Sequence, residues 1–174
     1  MHLQKLAKGV HFKSQRTDFT TSAVPGEIHM DTGNFSAEGL TGPTRITSRS
    51  RDVHMRDFRE AMDIELERGD LTLEPLQTPL ARIQAKLSSG DVNLVMPESA
   101  GFSLKATTER GEITNGLGEH FKVDSDGRHE TLAGSTGSGP QITIDVKRGS
   151  VSAGRGSATP PTKATSHPLE TITQ

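Results

Sequence analysis

The chain has 174 residues, a length that suits one domain or one short repeat array. Hydrophobic residues make up 30%, with six Phe, no Trp and no Tyr, so a thick aromatic core is excluded and a narrow aliphatic one is expected. The formal net charge of −2 argues against a nucleic-acid partner, and the lack of cysteine excludes disulfides, thiolate metal sites and cysteine nucleophiles.

The two ends of the chain are poorly patterned. The first twenty residues contain no apolar stretch of the kind found in signal peptides or membrane spans, so neither is predicted there. We interpret residues 1–17 as an N-terminal cap or leader and 18–154 as the folded domain. Residues 155–174 are rich in Ser, Thr and Pro with little to bury, and we predict a disordered tail there.

An internal repeat organises the region between these ends. Six aliphatic anchors recur along it: Ile28, Val53, Leu71, Val92, Ile113 and Val151. Glycine stands two residues before the anchor in five of the six units, and an acidic residue stands directly before it in five. Apolar and polar residues alternate on both sides of this turn. Each unit therefore predicts a strand, a four-residue turn containing glycine, and a second short strand.

The spacing of the anchors selects the architecture. Successive anchors lie 25, 18, 21, 21 and 38 residues apart, which leaves no room for crossover helices between parallel strands. Coiling solves this problem, because equivalent strands of neighbouring coils then pair in parallel about 4.8 Å apart. The sequence thus predicts an all-β, β-helix-like solenoid of about six coils, with two short strands in each coil of about 20 residues. An antiparallel sandwich is the alternative.

Two segments fit this pattern less well. Residues 58–66 also match an amphipathic helix, but the strand is favoured because Leu66 stands as far before Leu71 as Leu87 does before Val92. The last interval between anchors, from Ile113 to Val151, is long enough for nearly two repeat units. We interpret its middle as a degenerate coil with a flexible excursion.

Several segments resemble a known family: GPTRITSRSRDVHMRDF (42–58), ERGDLTL (67–73), LSSGDVNLVMPESAGFSLKATTERGEI (87–113) and GPQITIDVKRGSVSA (139–153). They are similar to bacterial adhesin-like domains of unknown function, described as toast-rack-like β-solenoids. The resemblance implies a non-catalytic structural or interaction module of the bacterial cell envelope, exported or membrane-tethered, with a protein or glycan partner. Two departures are Ser150 in place of the usual acid and the lack of an export signal. The second leaves the localisation open and suggests a fragment of a longer product.

The acidic residues of the repeat are the candidate site. They form a predicted exposed ladder with one carboxylate per coil: Glu27, Asp52, Asp70, Asp91 and Glu112. Like charges about 5 Å apart repel, so such a ladder could bind a cation or a basic partner. The alternative is that these are ordinary turn residues, with nearby arginines offsetting their charge: Arg51, Arg68, Arg110 and Arg148.

Other patterns indicate surfaces rather than catalytic centres. A polar, hydroxyl-rich face is predicted from Thr72, Asn93, Thr114 and Ser152, and it is our candidate binding surface. His29 and His54 occupy equivalent repeat positions, and we interpret both as surface histidines. Arg68-Gly69-Asp70 has the sequence of a known recognition tripeptide, but it stands at the glycine turn of the repeat. We therefore interpret it as part of that turn and not as a binding motif.

No catalytic residue, metal or cofactor is expected, since the chain lacks G-x-S-x-G and a phosphate-binding glycine motif. Two alternatives stay open. One is a polysaccharide-acting β-helix enzyme that uses paired carboxylates. The other is the extracytoplasmic sensor arm of a regulatory membrane protein.

Overall fold

The computed structural model describes residues 2–4, 10–14, 19–22, 26–40, 42–50, 52–58, 60–76 and 81–156. These residues form strands and turns: β1 (His2–Gln4), β2 (Val10–Ser14), β3 (Phe19–Ser22), β4 (Gly26–Thr32), β5 (Phe35–Glu38), β6 (Thr44–Ser50), β7 (Val53–Arg56), β8 (Met62–Leu66), β9 (Leu71–Glu74), β10 (Ile83–Leu87), β11 (Val92–Met96), β12 (Phe102–Thr108), β13 (Ile113–Gly116), β14 (Phe121–Asp126), β15 (His129–Thr136), β16 (Gln141–Val146) and β17 (Val151–Arg155).

The strands form two sheets. Sheet A has the order β1-β3-β5-β7-β9-β11-β17-β13, and sheet B has the order β14-β15-β12-β16-β10-β8-β6-β4-β2. Apart from the pairs made by β15, neighbouring strands are parallel, and each two-strand coil contributes one strand to sheet B and the next to sheet A. The predicted all-β solenoid is confirmed. The described strands make seven such coils rather than about six.

The additional coil lies at the N-terminal end. Strands β1 and β2 pair with β3 and β4, so the solenoid begins before the predicted boundary at residue 18. These two strands lie within residues 1–17, for which the sequence predicts an N-terminal cap or leader. The predicted disordered tail falls almost entirely on residues 157–174, which lie outside the described part of the chain.

The core lies between the sheets and is built by strict alternation. In β8, for example, Met62, Ile64 and Leu66 are buried while Asp63 and Glu65 are exposed, so this segment is a strand and not a helix. The buried side chains of both sheets form one largely aliphatic cluster. A few rings complete it where the core widens: Phe35, Phe58 and Phe102 are at most 1% exposed.

The backbone geometry of the turn before each anchor, which we call the glycine corner, explains why the repeat contains glycine there. Gly90 has a φ of 137°, a conformation that side chains with a Cβ rarely adopt. A Cβ on Gly90 would also lie 2.0 Å from the carbonyl oxygen of Gly69 in the adjacent coil. The corner backbones of neighbouring coils therefore pack closer than any side chain would allow.

The last coil does not stack at the end of the solenoid. Strand β16 lies between β10 and β12, and β17 lies between β11 and β13, so the final coil is inserted between the fifth and sixth coils of the chain. Five anchor residues consequently occupy one row in the spatial order Val53, Leu71, Val92, Val151 and Ile113. The repeat predicted this shared row correctly but predicted a sequential stack.

Between the sixth coil and the inserted one, the chain forms an antiparallel hairpin. Strands β14 and β15 pair with each other, and β15 pairs antiparallel with β12 at the end of sheet B. Phe121 and Leu132 are buried there, and the Phe121 ring stacks on Phe102 with ring centroids 5.3 Å apart. The degenerate coil predicted for this interval is therefore wrong, because the segment instead forms the end of the solenoid.

The first anchor was also misassigned. Ile28 lies in β4 of sheet B, where it pairs with Ile46, whereas Val53 and the later anchors lie in sheet A. The residue that pairs with Val53 from the preceding coil is Phe35. It follows Gly33 and Asn34, and Gly33 has a φ of 133° like the other corner glycines.

Candidate functional site

The central part of the predicted acidic ladder is a real row on the surface. Asp52, Asp70 and Asp91 directly precede the anchors of three adjacent strands in sheet A, and all three are exposed. Each carboxylate accepts a hydrogen bond from the backbone N–H at the same position of the next coil. The distances from Oδ1 are 3.0 Å for Asp52 to Asp70 N, 2.9 Å for Asp70 to Asp91 N and 2.7 Å for Asp91 to Ser150 N.

These hydrogen bonds indicate the structural role of the three aspartates. A neighbouring main-chain N–H would otherwise need water as its partner, and a charged acceptor makes a stronger bond than a neutral one. The carboxylates thus tie one coil to the next along the corner. This structural use of the aspartates corresponds to the alternative of turn residues, although Arg68, Arg110 and Arg148 make no ion pair with them in the described part of the chain.

The other two members of the predicted ladder lie elsewhere. Glu112 is separated from Asp91 by the inserted coil, in which Ser150 occupies the equivalent position. Glu27 lies in β4 of sheet B, and its backbone pairs with Arg45 rather than with sheet A. The structure therefore groups three of the five residues. The repeat spacing did not distinguish Glu27 from the other acids, because Gly26-Glu27-Ile28 has the residue pattern of the corner motif but lies within a strand.

A different carboxylate completes the corner at its far end. Each anchor N–H donates to the carbonyl oxygen at the acidic position of the next coil, as in Val151 N to Glu112 O at 2.9 Å. Ile113 lies in the last strand of sheet A, and the described residues form no further coil beyond it. Its N–H donates instead to Glu130 Oε2 of the hairpin at 2.6 Å. Glu130 was not predicted, because its role depends on how the hairpin folds over the stack.

The predicted hydroxyl-rich face is continuous. Its four residues occupy one outward row of sheet A in the spatial order Thr72, Asn93, Ser152 and Thr114. His54 extends the row on the side of Thr72. Neighbouring strands are about 4.8 Å apart, so the row presents regularly spaced hydrogen-bonding groups with no carboxylate or ammonium among them. We call these five residues the polar row.

The outer face of sheet B has a different character. Exposed residues of opposite charge lie directly opposite one another on adjacent strands, with Arg45 beside Asp63, and Lys86 between Glu65 and Asp145. Such cross-strand pairs stabilise a sheet modestly and also discourage association with other apolar or like-charged surfaces. The polar row therefore differs from this face of sheet B, although sheet A also has charged residues beside the row, where Arg56 pairs with Glu74.

The remaining sequence motifs lie in strands and turns of the scaffold. His29 lies in sheet B and His54 in sheet A, so the equivalence predicted for them is wrong. Arg68, Gly69 and Asp70 form the corner turn, with a φ of 128° at Gly69. Among the side chains that the structure describes, no three His, Asp or Glu residues converge as a metal site would require. Nor does the described chain contain a helix with the length and apolar character needed to cross a membrane.

The match to a known protein family agrees with this architecture. The family model for Toastrack DUF4097 matches residues 6–152. A search of curated proteins finds no match. Among solved structures, a crystal structure of a "putative cell adhesion protein" from Clostridium sporogenes ATCC 15579 is similar at 14% sequence identity and a TM-score of 0.39, covering 76% of this chain and 57% of that one.

The family match extends over most of the solenoid, from before β2 into β17. The chain belongs to the Toastrack DUF4097 family, a family of unknown function.

Proposed function

We propose that this domain is a non-catalytic, adhesin-like interaction module of the bacterial cell envelope, and that the outer face of sheet A binds its partner through the polar row. The observation behind the proposal is that this row contains no Asp, Glu, Lys or Arg and is continuous over five adjacent strands, from His54 to Thr114. On the outer face of sheet B, by comparison, residues of opposite charge lie directly opposite one another on adjacent strands.

The chemistry of the polar row suits a hydroxylated or amide-bearing partner. Hydroxyl and carboxamide groups both donate and accept hydrogen bonds, and they lose less hydration energy on binding than charged groups do. The strands hold these groups at fixed spacing, so little conformational freedom is lost when a ligand binds. A neutral glycan or an extended peptide backbone has matching donors and acceptors.

A non-catalytic role is supported by the use made of the acidic row. General acid–base chemistry needs carboxylates that can reach a substrate proton. Asp52, Asp70 and Asp91 each accept a main-chain hydrogen bond from the next coil, which fixes these groups as parts of the scaffold. This observation favours the interaction module over the polysaccharide-acting enzyme.

The test compares the two faces of the same two coils. Asn93 and Ser152 are neighbours in the polar row, while Gln84 and Thr143 are neighbours on the outer face of sheet B. The double variant Asn93→Glu/Ser152→Glu places two charges in the polar row, and Gln84→Glu/Thr143→Glu makes the same change of charge on the opposite face. Binding to purified cell-wall sacculi is measured by co-sedimentation for both variants and the unaltered domain.

We expect the polar-row variant to bind at least about tenfold more weakly, because unpaired carboxylates must be desolvated at the contact. The sheet B variant should bind as the unaltered domain does. Equal binding by both variants, or equal loss in both, would contradict the assignment of the binding face. A thermal unfolding curve for each protein confirms that the fold is retained.

A further inference from the structure

A basic groove runs along the glycine corner, away from the polar row. It has a volume of about 390 Å³ and crosses four adjacent coils. Four cationic side chains, two serines and two glutamates line it: Arg68, Arg110, Lys147, Arg148, Ser88, Ser89, Glu67 and Glu109. We call this feature the corner groove.

The inserted coil creates the centre of the corner groove. Because β16 and β17 lie between the coils of β10–β11 and β12–β13, Lys147 and Arg148 stand between Ser88–Ser89 on one side and Glu109–Arg110 on the other. A sequential stack would have placed Lys147 and Arg148 at one end. The observed order instead puts two cations and two hydroxyls in the middle, about 5 Å from one coil to the next.

The cations of the corner groove are not used by the protein itself. Arg68, Arg110, Lys147 and Arg148 make no ion pair within 4.0 Å to any residue that the structure describes. By comparison, Arg56 pairs with Glu74 at 3.6 Å, and Arg82 donates a hydrogen bond to Gln84 at 2.7 Å.

The nearest row of acids does not neutralise these cations by direct contact. Asp70 and Asp91, which follow the corner glycines, accept main-chain N–H groups of the next coil. Beyond Arg110 a second groove of about 380 Å³ continues along the hairpin turn, where Arg128 adds another guanidinium. The carboxylate of Glu130, which also lines this second groove, is bonded to the Ile113 amide.

From this arrangement we infer that the corner groove binds a linear acidic polysaccharide whose carboxylates are separated by neutral sugars. One carboxylate lies between Lys147 and Arg148, where the serine hydroxyls can donate to neighbouring oxygens, and further carboxylates reach Arg68 or Arg110. Guanidinium and carboxylate groups form strong charge-assisted hydrogen bonds of matching geometry.

The two glutamates favour a sparsely charged chain. Glu67 and Glu109 lie on the first and last coils of the groove, on either side of Ser88 and Lys147. A polymer with a charge on every unit, such as a nucleic acid, would bring phosphates against these carboxylates, and like charges at such distances repel. A chain with neutral sugars between its acidic groups avoids this repulsion.

The experiment measures binding of a fluorescently labelled hyaluronan decasaccharide, which has a carboxylate on alternate sugars, by fluorescence anisotropy at low salt. The groove variant is Arg110→Gln/Arg148→Gln. A control with the same change of charge is Arg82→Gln/Lys105→Gln on sheet B, where Lys105 is exposed. Dextran and single-stranded oligothymidylate serve as neutral and densely charged competitors.

We expect the groove variant to weaken decasaccharide binding at least about tenfold and the control less than about twofold. Raising the ionic strength from about 0.05 M to about 0.5 M should also release the ligand, because salt screens exposed charges. Equal loss in both variants would show non-specific attraction, and competition by dextran would show a neutral site. Stronger binding of oligothymidylate would show a nucleic-acid surface. Each of these three results overturns the inference.

A neutral variant of the polar row separates this inference from the proposed function. Asn93→Ala/Ser152→Ala should weaken sacculus binding but bind the decasaccharide as the unaltered domain does, since its changes lie on the outer face of sheet A and alter no charge. Loss of sacculus binding without loss of decasaccharide binding would show two independent surfaces. Loss of both in this variant would contradict the corner groove as a separate site.

Discussion

The first five two-strand coils of the solenoid stack in the order of the chain, from β2–β3 to β10–β11, whereas the C-terminal part does not. There the last coil lies inside the stack, and a hairpin forms the end. Both regions share the same corner geometry, including glycines of similar φ at positions 69, 90 and 149. A repeated motif therefore specifies the shape of a coil but not which coil becomes its neighbour.

The spatial order of the coils can differ from their order in the chain because the repeat units are similar to one another. Val151 pairs with Val92 on one side and Ile113 on the other, and a valine, a leucine or an isoleucine fills this row equally well. The chain can insert its last coil because β15 runs antiparallel to β12 and ends opposite Phe102, where β12 begins, so that β16 can start on the other side of β12. The length and turns of the connecting segment, rather than the repeat, determine the order.

The largest expected effect comes from deleting the inserted coil. Removing residues 139–174 leaves the strands β11 and β13 without their common neighbour β17, and the strands β10 and β12 without β16. Neighbouring coils of a solenoid stabilise one another, so loss of an internal coil should abolish cooperative unfolding. Circular dichroism during heating measures this.

The matched control is deletion of residues 1–25, which removes β1, β2 and β3 from the other end. This change takes away only terminal contacts, so the shortened protein should still unfold in one cooperative transition at a lower temperature. If the two deletions behaved alike, the last coil would not be internal to the stack.

A smaller but still large effect is expected at the glycine corner. Gly90→Ala places a Cβ 2.0 Å from the Gly69 carbonyl oxygen at a φ of 137°, so we expect a loss of at least about 2 kcal/mol in the free energy of unfolding. Gly154→Ala is the control, because a Cβ there meets no atom within 4 Å. Urea denaturation measures both. An unchanged midpoint for Gly90→Ala would show that the corners of neighbouring coils are not in close contact.

The smallest effect concerns the acidic row. Asp91→Ala removes the carboxylate that accepts the Ser150 N–H across the boundary with the inserted coil, and we expect a loss of about 1 kcal/mol. Asp70→Ala removes the equivalent bond to Asp91 within the sequential region and should cost a similar amount. Asp91→Asn retains an acceptor and should cost less. Urea midpoints that differed strongly between Asp70→Ala and Asp91→Ala would show that the row is not equivalent in the two regions.

Much of the scaffold could be predicted from the sequence because its physical cause is local. Alternating burial in β8 and β10 follows from period-two patterning, and the shared row of Leu71, Val92 and Ile113 follows from equal offsets to a glycine turn. The hydroxyl-rich face followed from the same register. Each of these inferences needs only residues within one unit and its equivalents.

The errors have equally specific causes. Asn34 replaces the acid in the true motif before Phe35, while Gly26-Glu27 imitates that motif inside a strand, so Ile28 was assigned to the wrong sheet. Alternation around Phe121 does not distinguish parallel from antiparallel pairing. A signal for the hairpin was present in Gly127, because glycine is favoured at the first of the two loop residues, Gly127 and Arg128, that join β14 to β15.

The corner groove was less predictable than the scaffold and the polar row. The corner groove depends on Lys147 and Arg148 lying beside Ser88 and Ser89, far away in the sequence, and only the insertion of the last coil brings these residues together. No offset within a repeat unit encodes that neighbourhood.

Engineered disulfides test the inserted coil most directly, because the chain contains no cysteine of its own. Asn93 is directly opposite Ser152 on the neighbouring strand, while Thr114 is one strand further away. Cα atoms about 5 Å apart can be bridged and those beyond about 7 Å cannot. Under mild oxidation, the Asn93→Cys/Ser152→Cys variant should therefore form an intramolecular disulfide and Asn93→Cys/Thr114→Cys should not, as judged by mass spectrometry. The opposite result would show that the coils stack in chain order and would contradict the inserted coil.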